Sequence, residues 1–469
     1  MTNSPAPAAS EPVIIPIDTP SLGDRSYLVH DGDVAFVVDP QRDIDRVLAI
    51  ADEEDVRITH VFETHIHNDY VTGGLALAQH TGASYHVNAA DDVGFERTPV
   101  RDGDVVEVSP TLRVRAIATP GHTFTHLSYA LESTESADDP EVVAVFTGGA
   151  LLYGTTGRPD LLGQEHTHDL VHHQYGSARH LAAELPDQAA VLPTHGFGSF
   201  CSPGSSCSAT SSTIGDQKRS NPVLTRAEED WVQQTLADLE AYPAYYVHMA
   251  PANSAGPAEP DLSAPRTADR DAIAASVGAG EWVVDLRTRT AFAAGHVTGT
   301  LNIGLDGQFA TYVGWLIPWG TPLTLLGDSA EQVADAQREL VRIGIDHLEG
   351  AATGSPPDWT ATPLGSFERA AFADLAQVRH HRHVVVLDVR RESEHTDAHI
   401  EGAVNIPIHQ ILTSVDEVPA GEVWVHCAGG YRASIAASVL AAHGRHVVAI
   451  DDDFAQHAGS AGLPLTSAA

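Results

Sequence analysis

Thr64-His65-Ile66-His67-Asn68-Asp69-Tyr70-Val71-Thr72-Gly73-Gly74 decides how the first half of this chain is read. It follows an apolar run ending at Phe62-Glu63, so both histidines sit just past a strand, where a loop can carry chemistry on a rigid scaffold. In an extended or turn segment, residues two apart project to the same side, so His65 and His67 can reach one ion. Imidazole suits zinc or ferrous iron, and a site that keeps coordination positions open can do chemistry. Two later segments supply more of the same: Thr119-Pro120-Gly121-His122 and Pro193-Thr194-His195-Gly196. With 27 histidines in the chain, a chance His-x-His pair is expected. The ordered return of histidine after successive strands is what favours a metal site. His166 and His168 with His172-His173 read instead as the polar face of a helix.

Around these motifs, strands are expected at 26–29, 34–38, 60–63, 113–118, 142–146 and 190–192, with helices at 44–52 and 227–240. The loop after His195 holds Cys201 and Cys207, whose spacing matches no zinc-knuckle pattern and reads as an ordinary pair of reduced thiols.

Two stretches read as linkers: 251–270, rich in Pro, Ala and Ser, and 353–365, with Pro356-Pro357 and neither a helical nor a strand period. They leave three domains: 1–250, 271–352 and 366–469. The last two repeat each other. Asp285-Leu286-Arg287 matches Asp388-Val389-Arg390, His296-x-x-Gly299 matches His399-x-x-Gly402, and Asn302-Ile303 matches Asn405-Ile406, all at an offset of 103 residues. A constant offset through three motifs marks a duplicated unit. Strands at 282–285 and 384–388 alternate with helical stretches such as 330–342 and 433–443, the pattern of a parallel α/β sheet.

Only the last copy has a nucleophile. Cys427-Ala428-Gly429-Gly430-Tyr431-Arg432 lies between a strand and a helix, so backbone N–H groups and the positive helix end face the sulfur and favour its thiolate. The two glycines let the backbone curl around an anion, and Arg432 can close that cradle with charge-assisted hydrogen bonds. The first copy reads Leu323-Thr324-Leu325-Leu326-Gly327-Asp328-Ser329 at its strand end, without cysteine or arginine, and is expected to be silent.

On these motifs, residues 1–250 resemble the metallo-β-lactamase superfamily, and within it the branch of glyoxalase II and the persulfide dioxygenases. Residues 366–469 resemble a rhodanese domain, with the loop length of the sulfur-transferring members. The whole chain is similar to persulfide dioxygenase–rhodanese fusions. The resemblance implies an α/β and α+β multidomain chain: an αββα sandwich followed by two parallel α/β domains. Two departures stand out. Tyr70 replaces the last histidine of the His-x-His-x-Asp-His motif, and Phe146-Thr147-Gly148-Gly149 replaces a motif whose final Asp is a metal ligand. The resemblance carries His65 and His122 over as ligands. The third position is open to His67 first, then Asp69 or water, with His195 as a further ligand or a supporting residue. One Fe(II) per chain is implied, with Zn(II) as the alternative.

The resemblance implies oxidation of a low-molecular-weight thiol persulfide to sulfite by O2, with sulfur exchange at Cys427 from a persulfide or thiosulfate. A glyoxalase II-like thioester hydrolase is one alternative. A degenerate metal domain serving the rhodanese as a sulfur-binding or assembly module is another. A net charge of −37 argues against nucleic acid and anionic membrane as partners. It fits either a high-salt surface or an alanine-rich, lysine-poor composition. Three cysteines make no disulfide framework, and the opening residues carry no basic or apolar signal segment, so the cytoplasm is expected. The sequence leaves the oligomeric state open, a homo-oligomer included.

Overall fold

The computed structural model describes residues 12–134, 140–202 and 209–467, so Cys207 lies outside the described residues. The chain divides into two compact units, 1–261 with 341–344, and 262–340 with 345–469. Among the described residues, no helix is long and apolar enough to cross a membrane.

In the first unit, side chains alternate across two sheets and bury both faces of each. One sheet has six strands in the order Val13–Thr19, Asp24–His30, Val34–Val38, Arg57–Phe62, Ser84–Asn88 and Thr98–Val100. The other runs Ala190–Pro193, Glu141–Gly148, Leu127–Ser133, Leu112–Ala118 and Val105–Glu107. Tyr27, Phe36 and Phe62 of the first sheet pack on Val114, Tyr129 and Phe146 of the second. The intervening positions, such as Leu28, Val37 and Val61, turn outward to helices Asp45–Glu53 and Gly74–Thr81. On the far side, Val145 and Val191 meet helices Gln164–Glu184 and Glu228–Ala237 through Val171, Leu181 and Trp231. The layers are therefore α, β, β, α, with polar residues collected where strands end. On helix Gln164–Glu184, His168, His172 and His173 are exposed.

Both expected linkers depart from that reading. Helix Tyr246–Ala255 runs into 251–270, because Asn253 is buried and clasps the histidine loop. Its side chain donates to the carbonyls of His67 at 2.9 Å and Tyr70 at 2.8 Å, and accepts from Thr72 N at 2.9 Å. Within 353–365, Thr353 ends a strand and Pro356–Trp359 forms a short helix that starts on proline. Trp359 is buried in the core with Ile273 and Val283. Proline at a helix start costs no hydrogen bond, so the Pro-Pro pair opens a helix instead of marking open chain.

The second unit holds two parallel sheets. The order is Leu301–Asn302, Trp282–Asp285, Leu323–Gly327, Gly350–Thr353 in one, and Glu368–Ala370, Val447–Ile450, Val423–His426, Val385–Asp388, Val404–Asn405 in the other. The repeat seen in sequence is a repeat of hydrogen bonds. Arg287 Nη2 donates to Asp285 at 2.6 Å and to Gly295 O at 2.9 Å; Arg390 Nη2 donates to Asp388 at 2.6 Å and to Ala398 O at 2.7 Å. Asn302 donates to the carbonyls of residues 285 and 287, and Asn405 to those of 388 and 390. Asp285 stands opposite Leu326 and Asp388 opposite His426, so Gly327 takes the place of Cys427.

Candidate metal centre and cysteine loop

The strand Arg57–Phe62 delivers its loop into a pocket where His65, His67, His122 and His195 are all at most 1% exposed. Each ring is held through one nitrogen. His65 Nδ1 meets Thr64 Oγ1 at 2.9 Å, and His122 Nδ1 meets Arg158 O at 2.9 Å. His195 Nδ1 lies 2.9 Å from Asp24 and 3.1 Å from Asp69. His67 Nε2 lies 2.9 Å from the Tyr70 hydroxyl, 3.2 Å from Glu63 and 3.3 Å from Asp39. The opposite nitrogens are left for something else. His67 Nδ1 and His122 Nε2 are buried with no hydrogen-bond partner among the described residues. The Nε2 atoms of His65 and His195 stand 3.4 Å apart. Donor atoms of His65, His67 and His195 lie within 4.8 Å of one another, as do those of His122, His195 and Cys201.

Buried imidazole nitrogens without partners are costly unless something binds them, and a borderline or soft divalent cation fits this donor set. The residues present therefore suit a metal. Of the residues expected as ligands, His65 and His67 converge with His195, while His122 groups with His195 and Cys201, its ring 4.8 Å from that of His65. Asp69 stands behind His195, on its Nδ1 side.

The charges around the pocket are uneven. Burial opposes a charge on His67, but Asp39 and Glu63 raise its pKa to about 9. Burial likewise opposes the charge on His195, and Asp69 and Asp24 lift it well above its ordinary value. Burial and then Asp69 push Asp24 up to about 7, whereas His195 holds Asp69 below the usual carboxylate range despite burial. Burial, with His195 nearby, lowers His122 to about 3, so its Nε2 is a free lone pair at neutral pH. Burial, then Asp69 and Asp24, push the Cys201 thiol well above its ordinary value.

Gly149 explains the missing carboxylate. A Cβ there would overlap the His122 ring, so the imidazole occupies space a side chain would need. Tyr70, in place of the motif's last histidine, turns its hydroxyl to His67 and to Asp39 O. Asp24, Asp39, Glu63, His126 and Asn253 were not singled out from sequence. His126 at the end of Thr119–His126 was the most readable; its Nε2 accepts from Gly149 N at 3.0 Å.

In the second unit, strand Val423–His426 ends at Cys427 and helix Tyr431–Ala442 begins four residues later. Cys427 is 2% exposed, and Gly430 N donates to its sulfur at 3.1 Å. Gly430 has φ +93°, and a Cβ there would run into Asp451. Ala428 and Gly429 are exposed, so the loop is open on that side. Arg432 makes a two-pronged pair with Glu394 at 2.6 and 2.9 Å, which neutralises the expected anion grip until Glu394 is exchanged. The first copy touches this loop. Tyr431 donates to Gly304 O at 2.6 Å, and Arg289 lies 2.7 Å from Asp451.

Residues 372–458 match the rhodanese-like domain family. The hydroxyacylglutathione hydrolase of Polaromonas sp. is 30% identical over 166 residues, which is 35% of this chain and 57% of that protein. The chain spans about half the length of the curated relatives it matches. A metallo-beta-lactamase from Staphylococcus aureus subsp. aureus COL superposes with a TM-score of 0.65 at 27% identity, covering 74% of this chain and all of that one. ETHE1 from Myxococcus xanthus is 29% identical, covering 52% of this chain and 98% of that one, with a TM-score of 0.44. The chain thus combines a metallo-β-lactamase fold, with its buried His/Asp cluster, and one rhodanese-like domain.

Proposed function

We propose that the chain oxidises a low-molecular-weight thiol persulfide, glutathione persulfide or a similar carrier, to sulfite at a single metal ion, and exchanges sulfane sulfur at Cys427. The persulfide, O2 and water give the thiol and sulfurous acid, so the outer sulfur is oxidised and O2 is reduced. The observation that carries this reading is the donor set: histidine nitrogens converge, while position 149 has no carboxylate to bridge a second ion. A bound Fe(II), with Zn(II) as the alternative, would be held by His65, His122, His67 and His195. Iron would supply the one-electron chemistry by which O2 reacts with a persulfide. The chain's own part is to hold those rings by Thr64, Arg158, Asp39, Glu63, Asp24 and Asp69, and to keep bulk water from them by burial.

At Cys427 the thiolate attacks a sulfane sulfur, forming Cys427–S–S and releasing the donor's thiolate or sulfite, and then hands the outer sulfur to an acceptor thiol. Gly430 N is placed to stabilise the sulfur anion, and Arg432 to meet an anionic donor on leaving Glu394. Residues 271–352 act as a silent second rhodanese-like copy, a role supported by the matched Asp–Arg–Asn hydrogen bonds and by Gly327.

The likeness to hydroxyacylglutathione hydrolases favours a second reading, thioester hydrolysis. Full-length protein reconstituted anaerobically with Fe(II) decides between them. Glutathione persulfide should drive O2 uptake with sulfite formed one for one. Hydrolysis of a glutathione thioester without O2 uptake would overturn the proposal.

A further inference from the structure

The pocket contains a donor that the histidine motifs do not include. Cys201 comes from the loop after His195, is fully buried, and has its Sγ within 4.8 Å of the donor nitrogens of both His122 and His195. Its thiol donates to the Tyr246 hydroxyl at 3.9 Å and also meets the Asp69 carboxylate. The His122 ring keeps its Nε2 buried without a hydrogen-bond partner among the described residues. Sulfur and nitrogen are also fixed from one point. Arg158 O takes the His122 Nδ1 proton at 2.9 Å, and Arg158 N donates to Cys201 O at 2.8 Å. The Arg158 side chain adds a bond to Phe200 O at 3.2 Å, so the loop that carries the thiol is tied to the ring it faces.

We propose that Cys201 is a metal ligand, its thiolate supplying the anionic donor that Gly149 cannot. The His122 ring fills the space of a residue-149 side chain, so no carboxylate can enter from that strand. Imidazoles alone leave the full charge on a divalent ion. One thiolate lowers it and shifts selectivity toward zinc, iron and cobalt over hard ions. As the sulfur–metal bond forms, the thiol proton leaves to solvent, with no change of oxidation state. This rests on the reading that the pocket holds a metal, and extends it by naming a ligand from outside the motifs.

Cobalt(II) is the probe. The full chain, stripped of metal and loaded anaerobically with Co(II), should show visible ligand-field bands together with a near-ultraviolet thiolate-to-cobalt charge-transfer band. The near-ultraviolet band should persist in Cys427→Ser and vanish in Cys201→Ser, with affinity reduced roughly 10-fold or more. Cys201→Asp should recover affinity without that band. The wild-type spectrum needs no variant to be decisive. Visible bands without the charge-transfer band would overturn the ligand assignment and leave the metal reading standing. Persistence of the band in Cys201→Ser would assign it to another thiol. Failure to bind cobalt would overturn both.

Discussion

Among the described residues the Cys427 sulfur takes its hydrogen bond from Gly430, three residues on, whereas the first unit assembles its pocket from residues as far apart as Asp24 and Asn253. One site is a stretch of backbone that needs a nucleophile, two glycines and a helix start. The other is a convergence of side chains, each ring oriented by a partner from another strand end. A contiguous site tolerates little change, and its surroundings act on its flanks, through Glu394 on Arg432 and Gly304 on Tyr431. A dispersed one can lose a ligand, as at position 149, and be rebuilt from a neighbouring loop.

The sharpest way to break this contrast is to remove one site and read the other. Cys427→Ser should lower thiosulfate or persulfide sulfur transfer by at least about 100-fold, since the thiolate is the nucleophile, with metal content unchanged. Transfer that survives would shift the role to Cys201 or Cys207. In the other direction, His122→Ala should abolish metal retention and O2 uptake while sulfur transfer at Cys427 continues. Loss of both activities would deny the independence of the two sites.

Smaller effects sharpen the account of orientation. Tyr70→Phe removes a hydroxyl 2.9 Å from His67 Nε2, and metal affinity measured by competition with a chelator should fall about 10-fold. An unchanged affinity would mean that Asp39 and Glu63 alone fix the ring. The gentlest probe is pH. His67, at about 9, carries a proton at neutrality that a metal on Nδ1 must displace. Apparent affinity should therefore rise as pH goes from 7 toward 9, and a flat profile would remove His67 from the donor set.

The contrast also explains what could be read from sequence. The Cys427 loop was legible whole, because its parts are consecutive and Gly327 reveals their loss in the first copy. The repeat was legible because Asp–x–Arg and Asn sit at one offset, and the structure shows the hydrogen bonds that hold them there. In the first unit, His65, His67, His122 and His195 were legible from their strand-end settings. Asp24 and Asp39 were not, because an acidic residue near a strand end looks like a surface residue until the fold brings an imidazole beside it. Asn253 was hidden in a Pro- and Ala-rich stretch that resembled open linker, and its value lies entirely in the carbonyls of a distant loop.

The most direct test of the central claim is to count metal in the full chain after anaerobic reconstitution with Fe(II) or Zn(II) and removal of excess ion. The account predicts one equivalent per chain, held by histidines of the first unit. Two equivalents would contradict it, showing that Asp24 and Asp69 rebuild a second site despite Gly149 and restoring the case for a dinuclear hydrolase.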